Sequence, residues 1–321
     1  MTEDEAAITF YNLMNTHMNA RLDLLKKNRR KVAHYTTAEN AMNIITGKSI
    51  WLRNSALMND FSEIKYGKER LVDALKRQMA EIDTILGGAH HQLATEIINW
   101  LVEVEEPINT HTYLTSFAEH SENDFLGKLS MWRAYGGPVA GVAIVFNTDV
   151  FESEEVGQAL NAFMYPVLYG QAEFDRHFDQ IVANLRSHGD LLEQLPRARV
   201  KSVLFHTFQD LVLTTKHPGF AEEEEWRVIF APPLFGPAHM DKGIHTIAGI
   251  PQVVHKIKLG DQSPINLPEL ELDRLVHRVV VGPCQYPQQV AYALDTALQA
   301  AGVKNSRDRI LISDIPLRQR G

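Results

Sequence analysis

The sequence predicts a mixed α+β fold, and three observations carry that prediction. Short runs rich in branched and aromatic residues, at 112–117, 141–146 and 276–282, have the length and composition of strands. Between them lie long stretches with apolar residues three or four apart, the period of an amphipathic helix, at 4–30, 64–106, 172–188 and 197–213. No internal repeat, low-complexity tract or linker-like segment divides the 321 residues, so a single α+β domain over 1–321 is the economical expectation.

Taken in order, residues 4–30 place Ile8, Tyr11, Met14, Met18, Leu22 and Leu25 on one helical face. Residues 32–36 (Val-Ala-His-Tyr-Thr) read as a short strand. Thr37 is placed to cap a helix over 38–46, which Gly47 ends as a glycine beyond the last turn does. Ser49–Leu52 is a second short strand, followed by a loop, 58–63, in which Asn59 and Asp60 can bond the backbone. The helical stretch 64–106 is broken at Gly87-Gly88, and His90 and His91 in the break are adjacent, a poor spacing for two ligands of one metal. Strands at 112–117 and 141–146 flank a short helix over 129–135, which Gly136-Gly137-Pro138 terminates. Residues 165–169 read as an edge strand, because Pro166 cannot donate to a ladder. Strands at 225–230, 252–259 and 276–282, a helix at 288–301 and a closing strand at 309–312 complete the chain.

Composition narrows the function classes. Apolar residues make up 45% and charged residues 22%, as in ordinary globular proteins, and the formal charge of −8 provides no global basic field toward nucleic acid or membrane. The densest basic run, Lys26 to Lys31, suits the C-terminal end of a helix, where cations meet the dipole. Cys284 is the lone cysteine, which excludes an intramolecular disulfide and a cysteine metal cluster and fits a reducing compartment. The acidic N-terminus is unlike a signal peptide and no apolar run reaches bilayer length, so a soluble, cytoplasmic protein is expected.

The most informative stretch is Glu222-Glu223-Glu224-Glu225-Trp226-Arg227-Val228-Ile229-Phe230. Four acids running into a strand-like segment are unusual, since like charges repel and Glu is a poor strand former. If the strand includes the acids, Glu223, Glu225 and Arg227 share one face and Glu224 and Trp226 the other, with a slip of one residue turning Glu224 inward. The alternative is a solvated acidic edge that discourages strand-to-strand pairing.

Four pieces are candidates to converge on a site: His34-Tyr35-Thr36, Thr115-Ser116-Phe117, Met131 to Gly136, and the Glu223/Glu225 pair. With "SIWLRNSALMNDFSE", "YLTSFAEHSENDFLGKLSMWRAYGG", "GVAIVF", "KHPGFAEEEEWRVIF", "VVVGP" and "ILISDIPLR", they resemble in order the bacterial family catalogued as domain of unknown function 2971. More distantly, a first-strand histidine, a Ser-Phe strand, an aromatic-bearing helix and a late Glu-x-Glu strand resemble the layout of ADP-ribosyltransferases.

That resemblance implies a split β-sheet core with helical insertions and NAD, as substrate, in the cleft. His34 would bond a ribose hydroxyl of NAD, with Tyr35 and Thr36 beside it and Ser116 supporting the cleft from the next motif. Trp132 and Tyr135, one helical turn apart, would stack on the nicotinamide. Glu225 would be the catalytic carboxylate, Glu223 the one that polarises the acceptor, and Arg227 part of the cofactor-binding set. The fixed carboxylate would stabilise positive charge developing on the ribose as nicotinamide leaves. No metal is required.

The activity implied is NAD-dependent ADP-ribosyl transfer to an unidentified protein or nucleic acid, by a toxin-like or phage-defence effector with no membrane partner. Two other readings keep the same residues: an NAD-binding or NAD-cleaving module without a macromolecular acceptor, and a non-enzymatic interaction protein. Each candidate also has a structural role open to it. His34 can be a core histidine bonded to a carbonyl, Trp132 and Tyr135 can be core, and Arg227 can pair with Glu223 or Glu225.

Overall fold

The computed structural model describes residues 2–57, 63–103, 111–232, 240–247, 249–263 and 267–316. Asn59 and Asp60 lie outside them. The chain divides into two compact units, each assembled from separated segments: Met1–Leu24, Met58–Thr110 and Tyr165–Ala221 in one, and Leu25–Leu57, His111–Met164 and Glu222–Gly321 in the other.

The first unit is mostly helical. Residues 4–30, expected as one helix, form α1 (Glu3–Met14) and α2 (Thr16–Lys27), the second of which runs on into the other unit. A capping box between Thr2 and Glu5 starts α1. Asn15 ends it, bonding the Tyr11 carbonyl and Thr207 through its amide, so a residue that favours caps over helix interiors breaks the run. The expected break at Gly87-Gly88 separates α4 (Glu63–Ile85) from α5 (Leu93–Glu103). Here α3 is Ala38–Thr46, in the second unit. Helices α9 (Gly170–Ser187), α10 (Gly189–Gln194) and α11 (Arg197–Leu213) complete the helical unit, with Phe10, Met14, Leu71, Leu75, Phe174, Phe178 and Phe208 at its core. The expected edge strand at 165–169 is divided: β5 spans Phe163–Pro166, and β6 (Leu168–Tyr169) pairs in parallel with β7 (Thr215–Lys216).

Among the described residues, the second unit holds a mixed, ten-stranded sheet. Its strands are β1 (Lys31–Thr37), β2 (Ser49–Asn54), β3 (Tyr113–His120), β4 (Gly141–Phe146), β8 (Glu225–Phe230), β9 (Asp241–Ile247), β10 (Ile250–Lys258), β11 (Val276–Val281) and β12 (Ile310–Ile312), together with β5. The main path runs β12-β11-β4-β1-β3-β2-β10-β9, and β8 adds to β3. Among the described residues, β11–β12 is the parallel pair of this path and the other pairs are antiparallel. Strand β9 and its hairpin with β10 have no counterpart in the sequence reading, because its exposed, polar residues lack the apolar alternation that marks a half-buried strand.

The cap expected at Thr37 forms: its hydroxyl accepts from the Asn40 N–H at 3.2 Å. Gly47 ends α3 for a different reason than expected. Its φ is −81°, and the left-handed residue is Lys48, at 42°. Gly47 is demanded by space, since a Cβ there would lie 2.7 Å from the Asn43 carbonyl oxygen.

One irregularity in the sheet decides the geometry of the site. Strand β1 pairs with β3 only through Lys31–Ala33 against Ala118–His120, while β2 takes the other end of the same β3 edge at Tyr113 and Leu114. From His34 onward β1 leaves β3 and continues along β4. Residues 115–117 therefore border a parting in the sheet.

Candidate functional site

The acidic run does not enter the sheet as a strand. Pro218–Glu223 forms a 3₁₀ turn, Glu224 takes a left-handed φ of 44°, and β8 begins at Glu225. This replaces simple alternation and fixes the register. Glu223, Glu225 and Arg227 are buried, while the Glu224 side chain is 54% exposed and pairs with Lys128 Nζ at 2.5 Å. The left-handed residue separates the two buried carboxylates onto different elements, Glu223 on the 3₁₀ turn and Glu225 on β8.

Cross-strand partners in an antiparallel sheet share a face. Ala33 opposes Ala118, and Ala118 opposes Glu225; Ser116 opposes Arg227. Ala33, Tyr35, Ser116, Ala118, Glu225 and Arg227 thus lie on one face, which the short helix α6 (Leu129–Tyr135) covers with Met131, Trp132 and Tyr135. His34, Thr36, Phe117 and Trp226 alternate to the opposite face.

On the first face, Arg227 donates to Glu225 through Nε at 2.8 Å and Nη2 at 3.1 Å, both side chains being enclosed. Tyr135 donates its hydroxyl proton to Glu223 Oε1 at 2.9 Å. The Tyr35 hydroxyl accepts from the Lys128 backbone N–H at 2.9 Å, and its ring meets Trp132 edge-on at 4.8 Å between centroids. Burial pushes the Tyr35 hydroxyl up to about 12, with the Lys128 bond opposing, so it stays protonated at neutral pH. Lys128 was not singled out in the sequence. It has no periodic signature, yet it links Tyr35, Glu224 and, through Nζ at 3.2 Å, the Glu222 carbonyl.

Two expected roles change. His34 does not share a face with Glu225. Its Nδ1 lies 2.9 Å from the Ser116 carbonyl, across the parting, and its ring is tilted against Phe117. A carbonyl only accepts, so Nδ1 carries the proton and Nε2 is the acceptor. Burial, opposed by the Ser116 bond, holds the imidazole below its usual range and so favours the neutral form. The second correction concerns Trp132, which is 3% exposed and wedged among glycines. A Cβ at Gly127 or Gly282 would each fall 2.7 Å from its ring, and its indole N–H donates to the Leu126 carbonyl at 3.0 Å. Trp132 is a core residue with no face presented to a ligand, whereas Tyr135 is half-buried and touches Glu223. Thr36 is buried on the side of His34, opposite Val142.

Residues 131–228 match the model of a family described as a protein of unknown function, DUF2971. The matched segment takes in Trp132, Tyr135, Glu223, Glu225 and Arg227, and leaves His34, Tyr35, Thr36 and Ser116 outside it. No curated protein matches, and no solved structure does. Among the described residues, no three His, Cys, Asp or Glu side chains gather as a metal site, and no helix is long and apolar enough to cross a membrane.

Proposed function

We propose that the chain transfers ADP-ribose from NAD, with the Glu223/Glu225 face of the sheet as its reacting centre. The observation that carries this reading is the parting of β1 from β3 after Ala33 and Ala118, with the histidine-bearing β1 and the serine-bearing β3 as its two lips and the glutamate-bearing β8 paired to the far edge of β3. A split sheet with those residue types on neighbouring strands is what the transferase resemblance implies.

The roles follow from the contacts. Glu225, oriented by Arg227, supplies fixed negative charge to the ribose carbon as the bond to nicotinamide breaks and its electron pair leaves with the ring. Glu223, held by Tyr135, takes the proton of the acceptor nucleophile as the new bond to that carbon forms. Tyr135, which donates to Glu223, replaces Trp132 as the aromatic side chain in contact with a carboxylate on this face. His34 acts as a positioning residue: its bond to the Ser116 carbonyl ties the two lips of the parting together.

The test is calorimetric titration with NAD alongside nicotinamide release, on the parent chain, Glu225→Gln, Glu223→Gln and His34→Phe. Glu225→Gln is expected to lower release at least 100-fold with NAD binding retained, a loss typical of one electrostatic group in the transition state. Glu223→Gln is expected to suppress transfer to an acceptor more than slow release of free ADP-ribose. No heat and no nicotinamide from the parent chain would remove the reading and leave an interaction protein.

A further inference from the structure

We infer a second binding site, for a small uncharged aromatic molecule of one or two rings, in a cavity on the opposite face of the sheet. The cavity measures about 150 Å³. Its walls come from α7 (Asp149–Glu152) and α8 (Glu154–Leu160), from Val228 of β8, from the cross-strand pair Ile50 and Ile257, and from Leu275. Val228 lies three residues beyond Glu225, so it alternates to the face away from the carboxylates.

Two features of the wall fix the ligand class. Among the described residues its side chains are apolar except Ser153, whose hydroxyl accepts from the Val156 N–H at 3.3 Å at the start of α8. A charged or strongly polar guest would lose its hydration with no ion or ring of hydrogen bonds to replace it. Water is disfavoured for the same reason, and dry apolar voids of this size take up aromatic hydrocarbons.

The opening is defined as well. Phe163 lines the cavity yet is 40% exposed, which marks it as the rim. Gly157 lets its ring lie directly on α8, for a Cβ there would come 2.8 Å from the ring edge. Here a helix lacking a side chain at 157 and a half-exposed aromatic make a cavity with a door.

The test uses the full chain with ¹³C-labelled Ile, Leu and Val methyls, titrated with indole and, separately, with benzoate. Indole is expected to shift Val150, Val156, Val228 and Ile257 saturably and to leave Leu71 and Leu75 of the helical unit unmoved. Benzoate is expected to bind at least tenfold more weakly. Val156→Phe and Leu160→Phe, which fill the space, are each expected to abolish the indole shifts; if one fails to fold, the other and the parent methyl map decide. The inference is overturned by no saturable shift, by shifts spread over both units, by benzoate binding as well as indole, or by shifts that persist in the filled variants. None of these readouts depends on NAD, so the site stands or falls separately from the transferase reading.

Discussion

Arg227 holds Glu225, two residues before it on the same strand face, through a two-point contact at 2.8 and 3.1 Å with both side chains enclosed. Such a pair is a matter of geometry more than of net stability, because desolvating two charges offsets much of their attraction. Removing one partner is a different matter, since it strands the other in a medium that solvates it badly.

Arg227→Met is therefore expected to cost about 3–5 kcal/mol, while the double variant Glu225→Gln/Arg227→Met, which leaves neither charge behind, should be milder than Arg227→Met alone. Urea unfolding of the two variants measures the difference. An Arg227→Met chain within about 1 kcal/mol of the parent would mean that the pair is solvated and that the carboxylate is not held.

Glu224 should behave in the opposite way, although it neighbours Glu225. Its ion pair with Lys128 is exposed, which is worth about 0–1 kcal/mol. Its left-handed φ of 44° disfavours any side chain. Glu224→Gly loses the pair and relieves the backbone, so its stability should stay within about 1 kcal/mol of the parent, with nicotinamide release unchanged. A large loss of release with intact folding would put Glu224, not Glu225, in the reacting centre.

The contrast between these adjacent acids shows how far the sequence could be read. The segments 129–135 and 141–146 came through at their true ends, because a clear helical period or a run of branched residues coincided with glycine punctuation. The acidic run did not. Alternation assumes an unbroken strand, and nothing in four identical residues marks which one turns left-handed. The faces of the site were hidden for a related reason. His34 and Glu225 are separated by an intervening strand, so their relation depends on the Ala33–Ala118 and Ala118–Glu225 registers, which cross-strand pairing sets rather than local sequence. Trp132 and Tyr135 share a helical face as their spacing requires, yet the glycines that enclose the Trp132 ring come from positions 127, 141 and 282.

Those glycines make Trp132 a stability residue first. Trp132→Ala is expected to cost about 3–5 kcal/mol, the range for deleting a large buried aromatic. Gly282→Ala should also destabilise the chain, by driving a methyl into the same ring. Thermal unfolding checks both. Loss of NAD binding by Trp132→Ala with an unchanged melting temperature would instead restore it to the ligand.

The helical unit contributes a distinct pH signature. Burial raises the Asp210 carboxyl from 3.8 to about 8, opposed by hydrogen bonds from Tyr11 and Tyr165; the Tyr11 hydroxyl lies 3.3 Å away. Between those values the folded chain keeps a proton that the unfolded chain has released, so this group's stabilising contribution is complete below 3.8 and falls as pH rises toward 8. Buried histidines act with the opposite sign. Desolvation lowers His177 to about 3 and His120 to about 4, so the unfolded chain takes up protons near 6.5 that the fold refuses, and stability rises with pH up to that point. Above pH 6.5 the histidine contribution is spent and the Asp210 slope remains. Over the roughly 1.5 pH units to 8 it amounts to about 2 kcal/mol, at 1.36 kcal/mol per unit. Urea unfolding at pH 6.5 and 8 should show that loss in the parent chain and little of it in Asp210→Asn, which keeps an acceptor for the two tyrosines but has no proton to release. Equal slopes in the two proteins would mean that Asp210 is ionised within the fold.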